Sequence, residues 1–150
     1  MLISYPAIFY CEEDEKGYLG YFIHFPDFDT AGTQGESIEN GMEMASDWLG
    51  LHVADYFENG EMPPKPSSIN DLSPEKNNPF NDDTDFEYNY NKEKSFVTLV
   101  TADLKEYLSA NEPVKKTLTI PKWADKKGRE LKLNFSQTLT EAIVSKSLQK

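Results

Sequence analysis

The sequence predicts an α+β fold with an N-terminal domain over residues 1–108, a hinge over 109–113 and a C-terminal module over 114–150. Three observations support this division. Apolar, aromatic runs that suit strands precede one long helical pattern. An alternating run followed by two short helical patterns closes the chain. The net charge changes sign between the two parts, as expected of modules with different partners.

Three strands are expected before the first helix. Residues 2–10 are apolar and aromatic, as in a strand, although Pro6 favours an edge position or a bulge. Residues 18–25 suit a second strand, which would pair with the first as a hairpin and end at Pro26. A short third strand is expected within residues 27–35.

One long helix should follow, with Ser37 as its cap. Apolar residues then keep helical spacing until Gly60 and the pair Pro63-Pro64, which end the helix. Within it, Gly41 costs about 1 kcal/mol relative to Ala, which indicates close packing on the sheet.

The segment after the helix is less regular. Residues 63–94 are rich in Pro, Asn, Asp and Ser without periodicity, so we expect a loop or flexible insertion. Ser95 to Thr101 is a clear strand pattern that should return to the N-terminal sheet. Residues 103–108 suit a short helical turn.

The C-terminal module begins with a strand-like alternation over residues 114–120. One face carries Val114, Leu118 and Ile120, with Lys116 as the exception, and the other carries Lys115, Thr117 and Thr119. Pro121 suits the first position of a helix that runs to Leu131 and should bury Trp123, Ala124 and Leu131. Asn134 or Ser136 can cap a second helix, whose apolar residues are Leu139, Ile143, Val144 and Leu148.

Such a module needs a partner, because a chain below about 40 residues rarely sustains its own core and a lone strand cannot form a sheet. A second copy would meet both needs, with two strands paired antiparallel about a twofold axis and four helices closed over one face. This is the ribbon-helix-helix pattern, whose two-stranded ribbon fits the DNA major groove. A surface strand packed on a helical hairpin is the alternative interpretation.

The two faces of the predicted ribbon have different roles. Outward lysines and threonines can reach bases and phosphates, and the first turn of the second helix can offer N–H groups to a phosphate. The predicted DNA-binding residues are Lys115, Lys116, Thr117, Thr119, Asn134, Ser136 and Gln137. The predicted dimer interface comprises Leu118, Ile120, Trp123, Leu139 and Ile143.

The charge is divided along the chain. Residues 1–62 hold thirteen acidic side chains and one basic side chain, Lys16, for a net charge of −12. From Pro113 onward, three acidic side chains oppose nine basic ones, for a net charge of +6. The basic end suits nucleic acid, whereas the acidic front would repel it and suits a cationic surface.

Several function classes lack support in the sequence. Neither a signal-peptide pattern nor a long apolar run is present, so we expect a soluble, cytoplasmic protein without membrane contact. Cys11 stands in a strand-like run without a nearby His, which favours a structural thiol over a nucleophile. His24 and His52 are isolated and suit packed histidines, and we predict neither a cofactor nor a metal site.

The front of the chain resembles the HicB family of antitoxins. The resemblance rests on three runs, Gly-Tyr-Leu-Gly-Tyr-Phe-Ile-His-Phe-Pro-Asp-Phe, Thr-Ala-Gly-Thr-Gln-Gly-Glu-Ser-Ile-Glu-Asn and Met-Pro-Pro-Lys-Pro-Ser. The C-terminal Leu-Thr-Ile-Pro-Lys-Trp and Asn-Phe-Ser-Gln resemble the ribbon-helix-helix form of that family. Residues 70–94 lie outside the resemblance, and Lys132 stands where a Gly commonly ends the first helix of the ribbon module.

The resemblance implies a function. The front would be a partial RNase H-like domain that binds a small basic HicA toxin, an RNase acting on mRNA, and the C-terminal module would dimerise and repress the operon. A higher hetero-oligomer would form with the toxin. The residues predicted to contact the toxin are Tyr21, Phe25, Asp27, Phe28, Asp29, Thr30 and Glu36.

Two alternatives belong to other classes. One is a transcription regulator whose acidic front senses a small molecule. The other is a metal-dependent RNase H-like nuclease, which needs carboxylates converging on two metal ions. The first strand, residues 2–10, holds no acidic residue, so we expect no enzyme.

Overall fold

The computed structural model of the protein describes residues 1–30, 32–108 and 113–149. Residues 2–108 form one compact unit, and a second, C-terminal unit includes the described residues 113–149. Four of the five residues of the predicted hinge, 109–112, lie outside the described residues. Within these ranges the chain forms one four-stranded antiparallel sheet and three α-helices, which confirms the mixed α+β class.

The N-terminal unit follows the predicted order of elements. Strand β1 spans Leu2–Glu13, β2 Leu19–His24, β3 Thr33–Gly35, helix α1 Ile38–Glu58 and β4 Asn91–Asp103. The strand order in the sheet is β3-β2-β1-β4, with every neighbouring pair antiparallel. β1 is longer than predicted because Glu12 and Glu13 still pair with β2. β4 is longer because Asn91 and Asp103 at its ends still pair with β1.

Pro6 lies in a central strand, so the predicted edge position was wrong for the strand as a whole. Pairing between β1 and β2 ends at Ile8 and His24, so Pro6 has a partner only on the β4 side, at Leu99. The ladder irregularity between β1 and β4 occurs farther along, between Phe9 and Cys11. A proline is tolerated here because β2 does not extend far enough to need its missing N–H.

Helix α1 begins and ends as predicted. The Ser37 side chain accepts a hydrogen bond from the Asn40 N–H at the N-cap. At the other end Gly60 has φ +74°, Glu61 N–H donates to Tyr56 O and Gly60 N–H donates to Phe57 O. This is the Schellman arrangement, in which a left-handed residue lets the last carbonyls find donors.

Helix α1 lies close to the sheet at glycines. A Cβ built on Gly41 would meet the Phe9 ring at 3.0 Å and Ile23 at 3.1 Å, which confirms the predicted close packing. Gly35 of β3 approaches even more closely, since a Cβ there would lie 2.4 Å from the Gly41 Cα. Ser46 donates its hydroxyl to the Thr101 carbonyl of β4, so the helix is tied to the sheet at both edges.

Residues 63–94 contain one short 3-10 turn, Ile69–Asp71, before β4 begins. Phe9 faces α1 and side chains alternate along a strand, so Tyr10 faces the opposite side of the sheet. There it meets residues 74–90, which we call the strap. The Tyr10 hydroxyl donates to the Pro74 carbonyl at 2.8 Å, and its ring contacts those of Tyr88 and Tyr90. The strap therefore gives the sheet a second apolar layer.

The strap is also anchored at the hairpin end of β1. The Tyr88 hydroxyl donates to the Glu12 carboxylate, and its ring lies 4.9 Å from that of Phe80. Burial, followed by the Glu12 hydrogen bond and charge, raises the pKa of the Tyr88 phenol well above its ordinary value. This phenol therefore remains a donor throughout the neutral range.

The C-terminal unit contains α2 over Lys122–Glu130 and α3 over Phe135–Leu148. Pro121 stands one position earlier than predicted, as the N-cap of α2, and Asn134 caps α3 by accepting from the Gln137 N–H. Residues 114–120 pair with no other described strand. A ladder needs a second strand, and the predicted partner belongs to another copy of the chain.

Burial in the C-terminal unit differs from the prediction. Trp123 is 74% exposed and Leu131 is 60% exposed, whereas Ala124 is half-buried and Val144 is buried. The packing between the two helices is instead made by Gly128, where a Cβ would lie 2.5 Å from the Phe135 ring. One copy of so short a segment has too small a core to bury all of its apolar side chains, and Trp123 and Leu131 remain in contact with water.

Lys132 ends α2 with the same hydrogen-bond pattern that Gly60 gives to α1. Its φ is +53°, with Lys132 N–H donating to Arg129 O and Leu133 N–H donating to Gly128 O. A side chain with a Cβ is strained in this left-handed conformation, at about 1 kcal/mol. Here the turn geometry that the resemblance assigns to a Gly is adopted by a Lys.

Replacing Gly35 by Ala should lower the free energy of unfolding by about 2 kcal/mol, because the new Cβ would press on the α1 backbone, which cannot yield like a flexible side chain. Gly20→Ala is the matched control on the neighbouring strand, since its Cβ would meet nothing closer than 3.8 Å. Chemical denaturation of both full-length variants makes the comparison. Equal losses would contradict the close approach.

Lys132→Gly should raise the free energy of unfolding of the C-terminal unit by about 0.5–1 kcal/mol, because the left-handed strain is removed. Thermal unfolding at a fixed protein concentration measures the change. Gly60→Ala provides the converse control at the other Schellman turn and should destabilise the chain. A destabilising effect of Lys132→Gly would refute the account of the turn.

Candidate functional site

Helix α1 presents an acidic face to solvent. Glu39, Glu43, Asp47, Asp55 and Glu58 are exposed and recur at helical spacing, so their side chains lie along one side of the helix. Asp47 accepts a hydrogen bond of 2.7 Å from the Tyr107 hydroxyl. This interaction, with burial second, raises the pKa of Tyr107 to about 12. Residues 1–62 contain only one basic side chain, Lys16. The exposed face of α1 is therefore strongly negative.

These carboxylates do not form a metal centre. Within the described ranges, no three His, Cys, Asp or Glu side chains converge closely enough to hold a metal ion. The nuclease alternative, which needs such convergence, gains no support from the geometry.

Two aromatic residues predicted to contact a partner belong to the core. Phe25 is 0% exposed and its ring stacks 4.7 Å from that of Trp48. Phe28 is 4% exposed and lies 5.0 Å from the Tyr5 ring. Neither ring can reach a partner without leaving the core. Burial of one aromatic residue in a loop depends on tertiary packing, which local sequence does not reveal.

Asp27 holds the segment that follows α1. Its two carboxylate oxygens accept hydrogen bonds from the Ser67 N–H, at 3.0 Å, and the Ser67 hydroxyl. Nearby, the Tyr5 hydroxyl donates to the Pro64 carbonyl at 2.6 Å, and burial, aided by the Asp27 charge, raises the pKa of Tyr5 to about 12. Asp27 therefore has a structural role, whereas Asp29 and Thr30 are exposed.

Tyr21 and Glu36 are brought together at the β2–β3 edge of the sheet. They line one cleft of about 410 Å³, together with Leu19 and Met44. Tyr21 pairs with Gly35 across the two strands, and Gly35 leads directly into the start of α1. Of the seven residues predicted to contact a partner, these two share a concave surface, in which Glu36 is exposed and Tyr21 is only 7% exposed.

The histidines and the cysteine belong to the packing. His52 stacks on the Trp48 ring and contacts the Trp48 carbonyl through Nδ1 at 2.8 Å. His24 stacks on Phe22, but its buried Nδ1 has no hydrogen-bond partner among the residues that the structure describes, and burial lowers the pKa of its imidazole. Cys11 is a buried free thiol, as the structural interpretation predicts.

The C-terminal unit carries an open groove of about 500 Å³. Val114, Lys116, Leu118 and Ile120 line it from the extended segment, and Leu139 and Ile143 line it from α3. The predicted alternation is therefore present, because these four positions share one side. Lys116 lies on the groove side with Val114, Leu118 and Ile120, the face on which the alternation placed it as the polar exception. This position separates it from Lys115, Thr117 and Thr119, with which it was predicted to bind DNA.

Two of the three predicted DNA residues at the start of α3 have side-chain partners within the chain. Asn134 accepts from the Gln137 N–H at 3.2 Å as the helix cap. The Gln137 side chain donates to Glu141 at 3.1 Å, and Ser136 lines the groove. Trp123 is exposed but does not line the groove. The exposed residues that remain on the outward side of the segment are Lys115, Thr117 and Thr119.

None of the helices in the described ranges combines the length and apolar character needed to cross a membrane.

Comparisons with known proteins agree on one family. Residues 4–73 match a family model described as the HicB_like antitoxin of bacterial toxin-antitoxin system. Antitoxin HicB 1 of Photorhabdus laumondii is 44% identical over 58 residues, which are 39% of this chain and 36% of that protein. Antitoxin HicB of Escherichia coli K12 is 43% identical over 51 residues, 34% of this chain and 37% of that protein. The chain thus matches little more than a third of the length of these curated relatives.

Two solved structures extend the similarity to both units. A chain of a toxin-antitoxin complex from Streptococcus pneumoniae is 54% identical, with a TM-score of 0.71, over 97% of this chain and 99% of that chain. The antitoxin HicB of Burkholderia pseudomallei has a TM-score of 0.51 at 18% identity, over 94% of this chain and 96% of that one. The second similarity concerns the fold alone.

Proposed function

The chain belongs to the HicB-like antitoxin family of bacterial toxin–antitoxin systems, and from this premise we propose that it neutralises a small basic HicA-type toxin and represses its own operon. The N-terminal domain, a partial RNase H-like fold, binds the mRNA-cleaving toxin, and a dimer of the C-terminal ribbon-helix-helix module binds operator DNA. Both activities take place in the cytoplasm and need no catalysis by this chain. The main support is the 54% identity to a chain of a toxin–antitoxin complex over nearly the full length.

Toxin binding is steric and electrostatic in this proposal. The carboxylates of α1 attract a cationic RNA-binding surface, and the bound domain covers that surface. Charge complementarity of this kind increases the association rate and selects the partner more than it sets the final affinity. Apolar contacts must supply the rest, and exposed Met44 and Leu51 interrupt the acidic face of α1 where such contacts can form.

DNA binding depends on dimerisation. A second copy covers the groove and pairs its segment 114–120 with that of the first, so that Leu118, Ile120, Leu139 and Ile143 leave water. The large exposure of Leu118, at 62%, supports this requirement. The ribbon then carries Lys115, Thr117 and Thr119 from each copy on its outer side, where they reach bases and phosphates in the major groove.

Leu118→Asp should abolish the dimer and with it DNA binding, because a carboxylate would have to leave water among the apolar groove residues Leu139 and Ile143. Leu131→Asp is the matched control, since Leu131 is similarly exposed but does not line the groove. Molar mass by light scattering and a titration with the chain's own promoter DNA measure both properties. A dimeric Leu118→Asp variant would refute the ribbon interface.

The same pair of variants tests the toxin half of the proposal. Leu118→Asp should still capture the toxin, because the N-terminal unit forms a separate compact body. Failure of the wild-type chain to bind a co-expressed HicA-type protein, together with normal DNA binding, would favour a regulator that senses something else.

Lys115→Ala should reduce the slope of log affinity for DNA against log salt concentration by about 0.9 per lost phosphate contact, and hence by about 2 for a dimer. Lys116→Ala provides the control from the groove side of the segment. Titrations at several salt concentrations, well above the dimer dissociation constant, compare the two slopes. Equal slopes for Lys115→Ala and the wild-type chain would contradict the outward position of Lys115.

A further inference from the structure

The cleft at the β2–β3 edge has the size of a binding site. Its volume is about 410 Å³, within the range of about 300–1,000 Å³ in which proteins hold small ligands or side chains of a partner. Gly20 and Gly35 contribute backbone without side chains to its lining. A Cβ on Gly20 would meet no atom closer than 3.8 Å, so this part of the cleft is open.

The walls of the cleft combine two chemistries. Leu19, Tyr21 and Met44 supply apolar surface, and Glu12 and Glu36 supply carboxylates. The lining contains no Lys, Arg or His side chain. In the described part of the chain, no salt bridge involves Glu12 or Glu36.

Glu12 stands two residues after Tyr10 on β1, so its side chain lies on the same side of the sheet as the strap. Its carboxylate accepts the Tyr88 hydroxyl of the strap, and one of its two oxygens makes this bond. A carboxylate has several acceptor sites, so it can receive a second donor while the first is in place. The strap thereby orients one of the two acidic groups of the cleft.

This combination fits a long cationic side chain. The stem of an arginine or lysine buries its methylene groups along apolar walls, and its charged head then reaches carboxylates. A divalent cation would instead need more convergent oxygen ligands, and no group of three acidic, His or Cys side chains suited to a metal occurs in the described ranges.

We propose that this cleft receives an arginine or lysine side chain of the protein partner and so anchors that partner at the β2–β3 edge. The inference deepens the proposed function and rests on it for the identity of the partner. It assigns the recognition contact to the Glu12 and Glu36 carboxylates and to the exposed Leu19 and Met44 side chains. Tyr21, at 7% exposed, is buried like the Phe25 and Phe28 rings, and Asp27 is engaged by Ser67.

The first test uses the full-length chain and small probes. Amide NMR spectra are recorded during titration with N-acetyl-arginine methylamide, its lysine counterpart and the uncharged norleucine counterpart. The cationic probes should shift the Gly20 and Gly35 amides with a dissociation constant on the order of millimolar, and norleucine should not. Shifts of similar size with norleucine, or shifts spread evenly along α1, would overturn the proposal. Magnesium chloride that shifts the same amides more strongly than arginine would also overturn it.

Variants then test the carboxylates. Glu12→Gln and Glu36→Gln keep the shape of the side chains and should each weaken arginine binding by about threefold or more, and the double variant by about tenfold. Glu43→Gln is the matched control, because Glu43 is exposed on α1 next to Met44 of the lining but does not itself line the cleft. Equal weakening by Glu43→Gln would mean that only the general acidic field attracts the probe.

The small probes bind without a toxin, so they test the cleft independently of the antitoxin role. Arginine binding in the cleft without capture of any toxin would leave the site in place and refute the antitoxin role. Toxin capture that Glu12→Gln/Glu36→Gln leaves unchanged would refute the cleft as the anchor and leave the antitoxin role in place.

Discussion

The N-terminal domain depends on the contact between α1 and the sheet at Gly35 and Gly41. Because neither position carries a side chain, the helix can lie directly on β3 and against Phe9 and Ile23. This approach fixes which side of α1 is buried and directs its carboxylates outward. It also sets the start of α1 beside the sheet edge, where the cleft is formed. The close approach of Gly35 and Gly41 therefore positions both the acidic face of α1 and the Glu36 side of the cleft.

The strap forms a third layer of the N-terminal domain, on the side of the sheet opposite α1. With α1 on one side and an aromatic cover on the other, β1 is buried on both faces over most of its length. Its side chains from Tyr5 to Cys11 are accordingly almost all buried. The cover is built from irregular backbone, and its hold on the sheet comes from tyrosine rings and from hydroxyls that donate to a carbonyl and a carboxylate.

Short-range sequence patterns predicted most of the helices and strands. Long-range packing determines which of the predicted site residues can reach a partner. Ser37, Gly60 and Asn134 act within one turn of chain, so their capping roles could be predicted from sequence. Phe25 is buried against Trp48, and Phe28 against Tyr5, while Asp27 accepts a hydrogen bond from Ser67. These partners are distant in the sequence, so no local pattern predicts the contacts. The strap was expected to be a loop because its aromatic residues follow no period. The alternation alone placed Lys116 on the side of Leu118, whereas a DNA-binding role for Lys116 needs the opposite side.

The open groove of the C-terminal unit has a consequence for gene control. Under the proposed role, the form that binds DNA exists only as a pair, so at low abundance its amount rises with the square of the chain's concentration. Repression would then be weak when the protein is scarce and would strengthen steeply as it accumulates. Degradation of a modest fraction of the chains would release the promoter by more than that fraction. The exposed leucines of one copy would thus convert a gradual change in protein level into a sharper transcriptional response.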